Sequence, residues 1–147
     1  MMVALFGGTP TSRLFTYVRE KLSLCYYCAA RFDRLTGLMF VDSGVEKQNG
    51  RKAYDEILRQ LDCVRRGEFT DEELTATRLL MQTSLEAVGD SLSATEEWYL
   101  TQIVGGAQYS AKDESALLDE VTREDVIAAA GQVTLDTVYF LTGKEAE

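Results

Sequence analysis

Phe6-Gly-Gly-Thr-Pro-Thr-Ser-Arg-Leu-Phe-Thr-Tyr-Val-Arg-Glu-Lys-Leu-Ser-Leu-Cys-Tyr26 is the stretch on which the reading of this chain turns. It opens on a glycine pair and continues as a helix. Thr9 is suited to the N-cap, where a hydroxyl accepts an orphan backbone N–H, and Pro10 suits the first helical position. Leu14, Phe15, Val18 and Leu22 recur at helical spacing on one face, with Arg19 beside that face near the helix end. From Cys25 the pattern changes to Cys-Tyr-Tyr-Cys-Ala-Ala-Arg-Phe, which suits a strand. Arg19 and Tyr26 therefore flank one helix-to-strand corner, where a cation and a phenol can be aimed at a common point.

Gly7-Gly8, Ser12-Arg-Leu-Phe15, Val18-Arg-Glu-Lys21 and Leu24-x-Tyr26 together resemble the second, non-catalytic half of the pitrilysin/insulinase-type zinc peptidases. That family carries a Gly-Gly-x-x-Ser-Ser-Arg-Leu-Phe run, then Arg-Glu-Lys, then Gly-Leu-Ala-Tyr. Its Arg and Tyr stand at the separation of Arg19 and Tyr26. Ser23 departs from the family's Gly, and Cys25 from its Ala. The resemblance implies a processing-peptidase-like fold in which Arg19 and Tyr26 hydrogen-bond substrate backbone near the scissile carbonyl. It also implies that zinc and a glutamate base belong to a His-x-x-Glu-His domain absent from this chain. In the family a strand and a helix precede the Gly-Gly within the same domain. Residues 1–147 are accordingly expected to be most of one non-catalytic domain, without its first part and without the catalytic half.

The bulk properties fit that expectation. A chain of 147 residues with 46% hydrophobic and 27% charged residues is an ordinary single-domain globular composition. The net charge of −9 lacks the basic footprint of a nucleic-acid binder and disfavours anionic membranes. No apolar run approaches the roughly 20 residues of a membrane span. Met1 to Phe6 is too short, and lacks the basic start, for a signal peptide. Three cysteines carry no disulfide framework, which suits a reducing compartment and makes the cytoplasm the expected location.

Further along, Cys25 to Phe32 and Leu38 to Ser43 read as a β-hairpin around the turn Asp33–Gly37. Gly44 to Gly50 reads as a loop. Lys52 to Arg66 reads as an amphipathic helix presenting Tyr54, Ile57, Leu58, Leu61 and Val64, closed by Gly67. Thr70-Asp-Glu-Glu73 is a capping box opening a long helix whose apolar positions extend to Leu92. Ser93-Ala-Thr-Glu96 reads as a second box, before a helix stopped at Gly105-Gly106. Gln108 to Glu114 reads as loop and Ser115 to Val121 as a short helical segment. Thr122-Arg-Glu-Asp125 caps Val126 to Ala130, closed by Gly131. Leu135 to Thr142 alternates as a last strand, and Lys144 to Glu147 reads as a frayed tail. The order gives an α+β fold: an antiparallel sheet packed on one face by several helices, as an incomplete domain.

Histidine is absent, so the chain has no Ser-His-Asp set, no Cys-His set and no His-x-x-Glu-His helix of its own. No catalytic residue and no metal ligand is assigned here. Cys25-Tyr-Tyr-Cys28 is a formal Cys-x-x-Cys, but residues three apart on a regular strand face opposite ways, so small buried hydrophobes are the preferred reading. Gly7-Gly8 lacks the following Gly-Lys-Ser/Thr of a phosphate loop. The acidic runs Asp71–Glu73 and Glu96-Glu97 sit at helix starts, where carboxylates complement the dipole.

The resulting expectation is the non-catalytic half of a zinc metalloendopeptidase. It would close over an extended peptide or unfolded polypeptide and position it with Arg19 and Tyr26 for hydrolysis by the other half. The alternative is a proteolytically inactive family member serving as a partner or assembly subunit. A stand-alone protein of unrelated function is a third reading, which the headless apolar start at Met1 disfavours. A domain lacking its first part leaves an edge or apolar face open, so self-association is also expected.

Overall fold

The computed structural model describes residues 1–143; the predicted tail at residues 144–147 lies outside the described residues. The chain opens on an entry helix, Ala4–Gly8, and a corner helix, Leu14–Lys21, both wound with i→i+5 hydrogen bonds. Strands β1 (Cys25–Asp33) and β2 (Leu38–Val45) follow. Helices α1 (Gly50–Arg65), α2 (Asp71–Glu86), α3 (Leu92–Val104), α4 (Ala111–Glu120) and α5 (Arg123–Gln132) complete the chain. Among the described residues the sheet is a two-stranded antiparallel ladder. The fold is α+β, with helices packed against one face of the sheet, as expected.

The core forms where the two opening helices meet β1 and α1. Leu5, Phe6, Leu14 and Val18 pack with Cys28 and Ala30 of β1 and with Ala53, Leu61 and Val64 of α1. Gly7 is where this packing is tightest. A Cβ there would sit 2.7 Å from both the Ala30 Cβ and the Leu14 Cδ1. The glycine pair thus serves close approach of the entry helix to β1 as well as the turn. Phe69, Leu74, Val126 and Ala130 extend the core toward α2 and α5.

Helix ends account for much of the remaining order. Thr70/Glu73, Ser110/Asp113 and Thr122/Asp125 form complete capping boxes at the starts of α2, α4 and α5. Gly67 and Gly106 take the left-handed conformation after α1 and α3. Three arginines satisfy carbonyls at and beyond helix ends. Arg65 donates to Ala130 and Val133, Arg78 to Leu118 and Val121, and Arg123 to Gly67 and Phe69.

Several elements differ from the sequence reading. Thr9 does not cap the corner helix: Thr9 is extended, Thr9 to Ser12 forms a turn, and Arg13 stands at the N-cap, with the Ser12 hydroxyl accepting from the Phe15 N–H. β2 runs on to Val45, and Lys47–Asn49 forms one tight helical turn within the expected loop. α2 stops at Glu86, and α3 is capped by Ser91, which accepts from the Ala94 N–H, rather than by Ser93. Gln108 to Glu114 is only partly loop, because the Ser110 box starts α4 at Ala111. Gly131 lies inside α5, which ends at Gln132. The last strand is absent: Leu135 to Gly143 joins no ladder. Its Phe140 instead stands edge-on to Tyr54 of α1, with ring centroids 6.4 Å apart. An alternating segment becomes a strand only if an edge receives its hydrogen bonds, and here it lies against a helix.

Candidate functional site

The helix-to-strand corner is set by one residue in an unusual conformation. Ser23 adopts φ +48°, a left-handed backbone that ends the corner helix and turns the chain into β1. The turn is closed by bonds from the Leu22 N–H to the Tyr17 carbonyl and from the Leu24 N–H to the Val18 carbonyl. This is the position where the resembled family has glycine, and the geometry supplies the reason: a Cβ is disfavoured there.

The two predicted site residues sit on either side of this corner, both exposed. Arg19 lies in the last turns of the corner helix, its guanidinium 4.5 Å from the centre of the Phe15 ring. Tyr26 is the second residue of β1 and is 74% exposed. Its placement rests on a β-bulge. Cys25 pairs with Val45 and Tyr27 with Gly44, so Tyr26 is the extra residue with no partner across the ladder. A bulge bends a strand and re-aims a side chain. Among the described residues neither the Arg19 guanidinium nor the Tyr26 hydroxyl is committed to a hydrogen bond.

Beneath the corner lies a buried polar network. Arg13, 5% exposed, donates from Nε to Gln60 Oε1 at 3.0 Å and from Nη1 to both Glu73 oxygens at 3.1 and 3.3 Å. Gln60 in turn donates to Glu56, and Arg59 holds the same carboxylate through two hydrogen bonds. The Arg59 guanidinium keeps the Glu56 carboxyl below the usual carboxylate range, against the opposing effect of burial. Glu73 is also the third residue of α2, whose carboxylate accepts from the Thr70 N–H. One arginine thus ties the corner helix to α1 and α2. The Tyr17 ring completes the arrangement, with Arg13 4.8 Å and Lys21 4.0 Å from its centre. Arg13 belongs to the motif that carries the family resemblance, but its role was not legible there. Gln60, which it reaches directly, and Glu56, which Gln60 reaches in turn, lie off the apolar face read for α1, yet both are buried.

An open groove of about 460 Å³ runs beside the corner between Leu22, Leu24, Lys52, Asp55, Glu56 and Arg59. Among the described residues no three His, Cys, Asp or Glu side chains gather as a metal set. Among the described residues no donor set fits the zinc of the resembled family.

An α+β domain with a glycine-tight helix pair at its core has the fold of the inactive domain of metalloprotease-like proteins. Residues 1–81 match the family described as the Peptidase M16 inactive domain, and the chain belongs to that family. Over 141 residues, 96% of the chain, it is 35% identical to the protein named "Probable inactive metalloprotease YmfF" of Bacillus subtilis (strain 168), covering 33% of that protein. The fold is similar to a conserved protein of Enterococcus faecalis V583, with TM-score 0.80, 27% identity, and coverage of 88% of this chain and 31% of that one. A protease of Helicobacter pylori shares the fold at TM-score 0.77 and 17% identity, with 89% of this chain and 32% of that one covered. The chain thus spans about a third of the length of these relatives.

Proposed function

We propose that this chain is the non-catalytic half of a zinc-dependent metalloendopeptidase. It closes over an extended peptide and positions it for hydrolysis by a catalytic His-x-x-Glu-His half. The observation that carries the reading is the corner: Arg19 and the bulged Tyr26 stand exposed on either side of it with their donors uncommitted. A guanidinium and a phenol facing a scissile carbonyl stabilise the oxyanion that develops there, and losing one such donor costs about 3–4 kcal/mol. The open ladder of β1 and β2 offers backbone groups to an extended chain, a mode that holds peptides with little regard to sequence. Titration of the full-length protein with an unstructured peptide tests this. Arg19→Ala and Tyr26→Phe are expected to weaken binding, and unchanged affinity in both would remove the pair from the site.

A second reading is favoured by the name of the Bacillus relative, a "Probable inactive metalloprotease". In that reading the protein handles no cleavage and acts as a partner or assembly subunit. A folded, zinc-supplied full-length protein that leaves unstructured peptides intact would select it.

Two secondary proposals complete the reading. The open sheet and the apolar side of α3 give the isolated chain surfaces for self-association, expected as a concentration-dependent mass in light scattering. Cytoplasmic residence, drawn from the cysteine count, is tested by fractionation; among the described residues no helix is long and apolar enough to cross a membrane.

A further inference from the structure

The groove of about 460 Å³ beside the corner holds a charge that the fold does not use. Leu22 and Leu24, on either side of Ser23, give it an apolar wall, and Lys52, Asp55, Glu56 and Arg59 complete the lining. Those four recur at i, i+3, i+4 and i+7 of α1 and so share one face of that helix. Three of them are committed to partners. The Glu56 carboxylate accepts from Arg59 and from Gln60, and Asp55 pairs with Arg51 at 3.1 Å. Lys52 is exposed, and among the described residues its ammonium has neither an ion pair nor a hydrogen bond. Lys52 does not serve its own helix either. It stands in the first turn of α1, where a cation opposes the macrodipole and no acid offsets it. The first turns of α2, α4 and α5 carry acids instead. With both groove carboxylates paired, the unbalanced charge is positive, in a chain whose net charge is −9.

We propose that this groove is a specificity subsite that takes an acidic side chain of the extended peptide, with Lys52 as the residue that reads it. An apolar wall beside an uncommitted ammonium matches a side chain with a short aliphatic stem and a terminal carboxylate. The stem lies against Leu22 and Leu24, and the carboxylate accepts a charge-assisted hydrogen bond from Lys52 Nζ. Leu22 follows Arg19 by three residues and Leu24 precedes Tyr26 by two, so a peptide crossing the corner to reach that pair passes the groove. The subsite rests on the peptide handling proposed for the corner and adds to it a preference for acidic substrates.

The test is fluorescence anisotropy of the full-length protein with two labelled peptides of one unstructured sequence. Both are acetylated and amidated, so no terminal carboxylate competes, and they differ only in carrying Glu or Gln at the same spaced positions. The net charge of −9 repels an acidic peptide overall, so tighter binding of the Glu peptide reports a local cation. Wild-type protein should prefer the Glu peptide by roughly two- to fivefold, the scale of an exposed ion pair, and the preference should shrink as salt is raised. Lys52→Gln should remove the preference, Lys52→Arg should keep it, and Lys52→Glu should reverse it. Equal affinity for both peptides in the wild type, or a Glu preference that survives Lys52→Gln, overturns the subsite and leaves peptide binding at the corner in place. Failure of both peptides to bind wild-type protein overturns the peptide-handling reading and the subsite with it.

Discussion

At the scale of single residues, Arg13 matters most to the fold. It is a buried guanidinium whose fork reaches Gln60 and Glu73 at once. Truncation leaves those partners without their cation, and breaking a buried charged pair costs about 3–5 kcal/mol. Arg13→Ala should therefore lower the urea midpoint steeply. Arg13→Lys should rescue little, since an ammonium cannot span both partners. Ser23 makes the opposite case. Its left-handed backbone carries a penalty of about 1–2 kcal/mol that glycine avoids. Ser23→Gly should raise thermal stability by roughly 0.5–1 kcal/mol once the extra unfolded-state entropy of glycine is set against it. The helical spacing and the strand pattern put Arg19 and Tyr26 on either side of the corner, where the structure has them. The sequence could not show the bulge that aims Tyr26, because a bulge depends on the register of the partner strand and leaves no fixed residue pattern.

At the scale of elements, local chemistry was legible wherever both halves of a signal were close in sequence. The Thr70/Glu73 and Thr122/Asp125 boxes and the Gly67 stop all stand as read. Thr122→Ala should cost about 1 kcal/mol by loss of its cap. The box at Ser110 was missed because Asp113 stood in a polar stretch with no apolar period behind it. The strand expected over Leu135 to Thr142 failed for a different reason: alternation describes a side-chain pattern, whereas a strand also needs an edge to pair with.

The caps also set the acid response. The Ser110 and Thr122 hydroxyls hold the Asp113 and Asp125 carboxyls below their usual range. The Arg66 guanidinium, assisted by the Cys63 thiol, lowers the Glu68 carboxyl to about 2. Each group binds its proton less readily folded than unfolded, so its contribution is complete above the ordinary carboxylate range. That contribution is lost as pH falls through the carboxylate range, for Glu68 from about 4.5 toward 2. With no histidine to titrate, the group that acts near neutrality is the Met1 amine, whose pKa burial lowers, so the urea midpoint should rise slightly as pH climbs toward about 8. The steeper decline should come in acid, as a pH series of urea melts would show.

At the scale of the whole molecule, the interior is concentrated at one end. The opening helices, β1, α1 and α5 share the core, whereas α3 leaves Leu92, Leu100, Ile103 and Val104 largely exposed. Exposed apolar faces of this kind are commonly found at interaction surfaces, and the chain spans about a third of its relatives' length. Polar substitutions on that face, such as Ile103→Ser with Leu100→Ser, should reduce any concentration-dependent mass in light scattering without lowering the melting temperature. A large fall in melting temperature would instead place these side chains in the domain's own packing.

The proposed role of the corner is to serve peptide cleavage carried out elsewhere. It is tested most directly by the rate at which the full-length protein, or its reconstituted pair, cleaves an unstructured peptide, with a chelator control and the Arg19→Ala and Tyr26→Phe variants. Chelator-sensitive cleavage should fall by roughly two to three orders of magnitude in each variant, the scale of a lost oxyanion donor. Chelator-sensitive cleavage at the wild-type rate in both variants would contradict it.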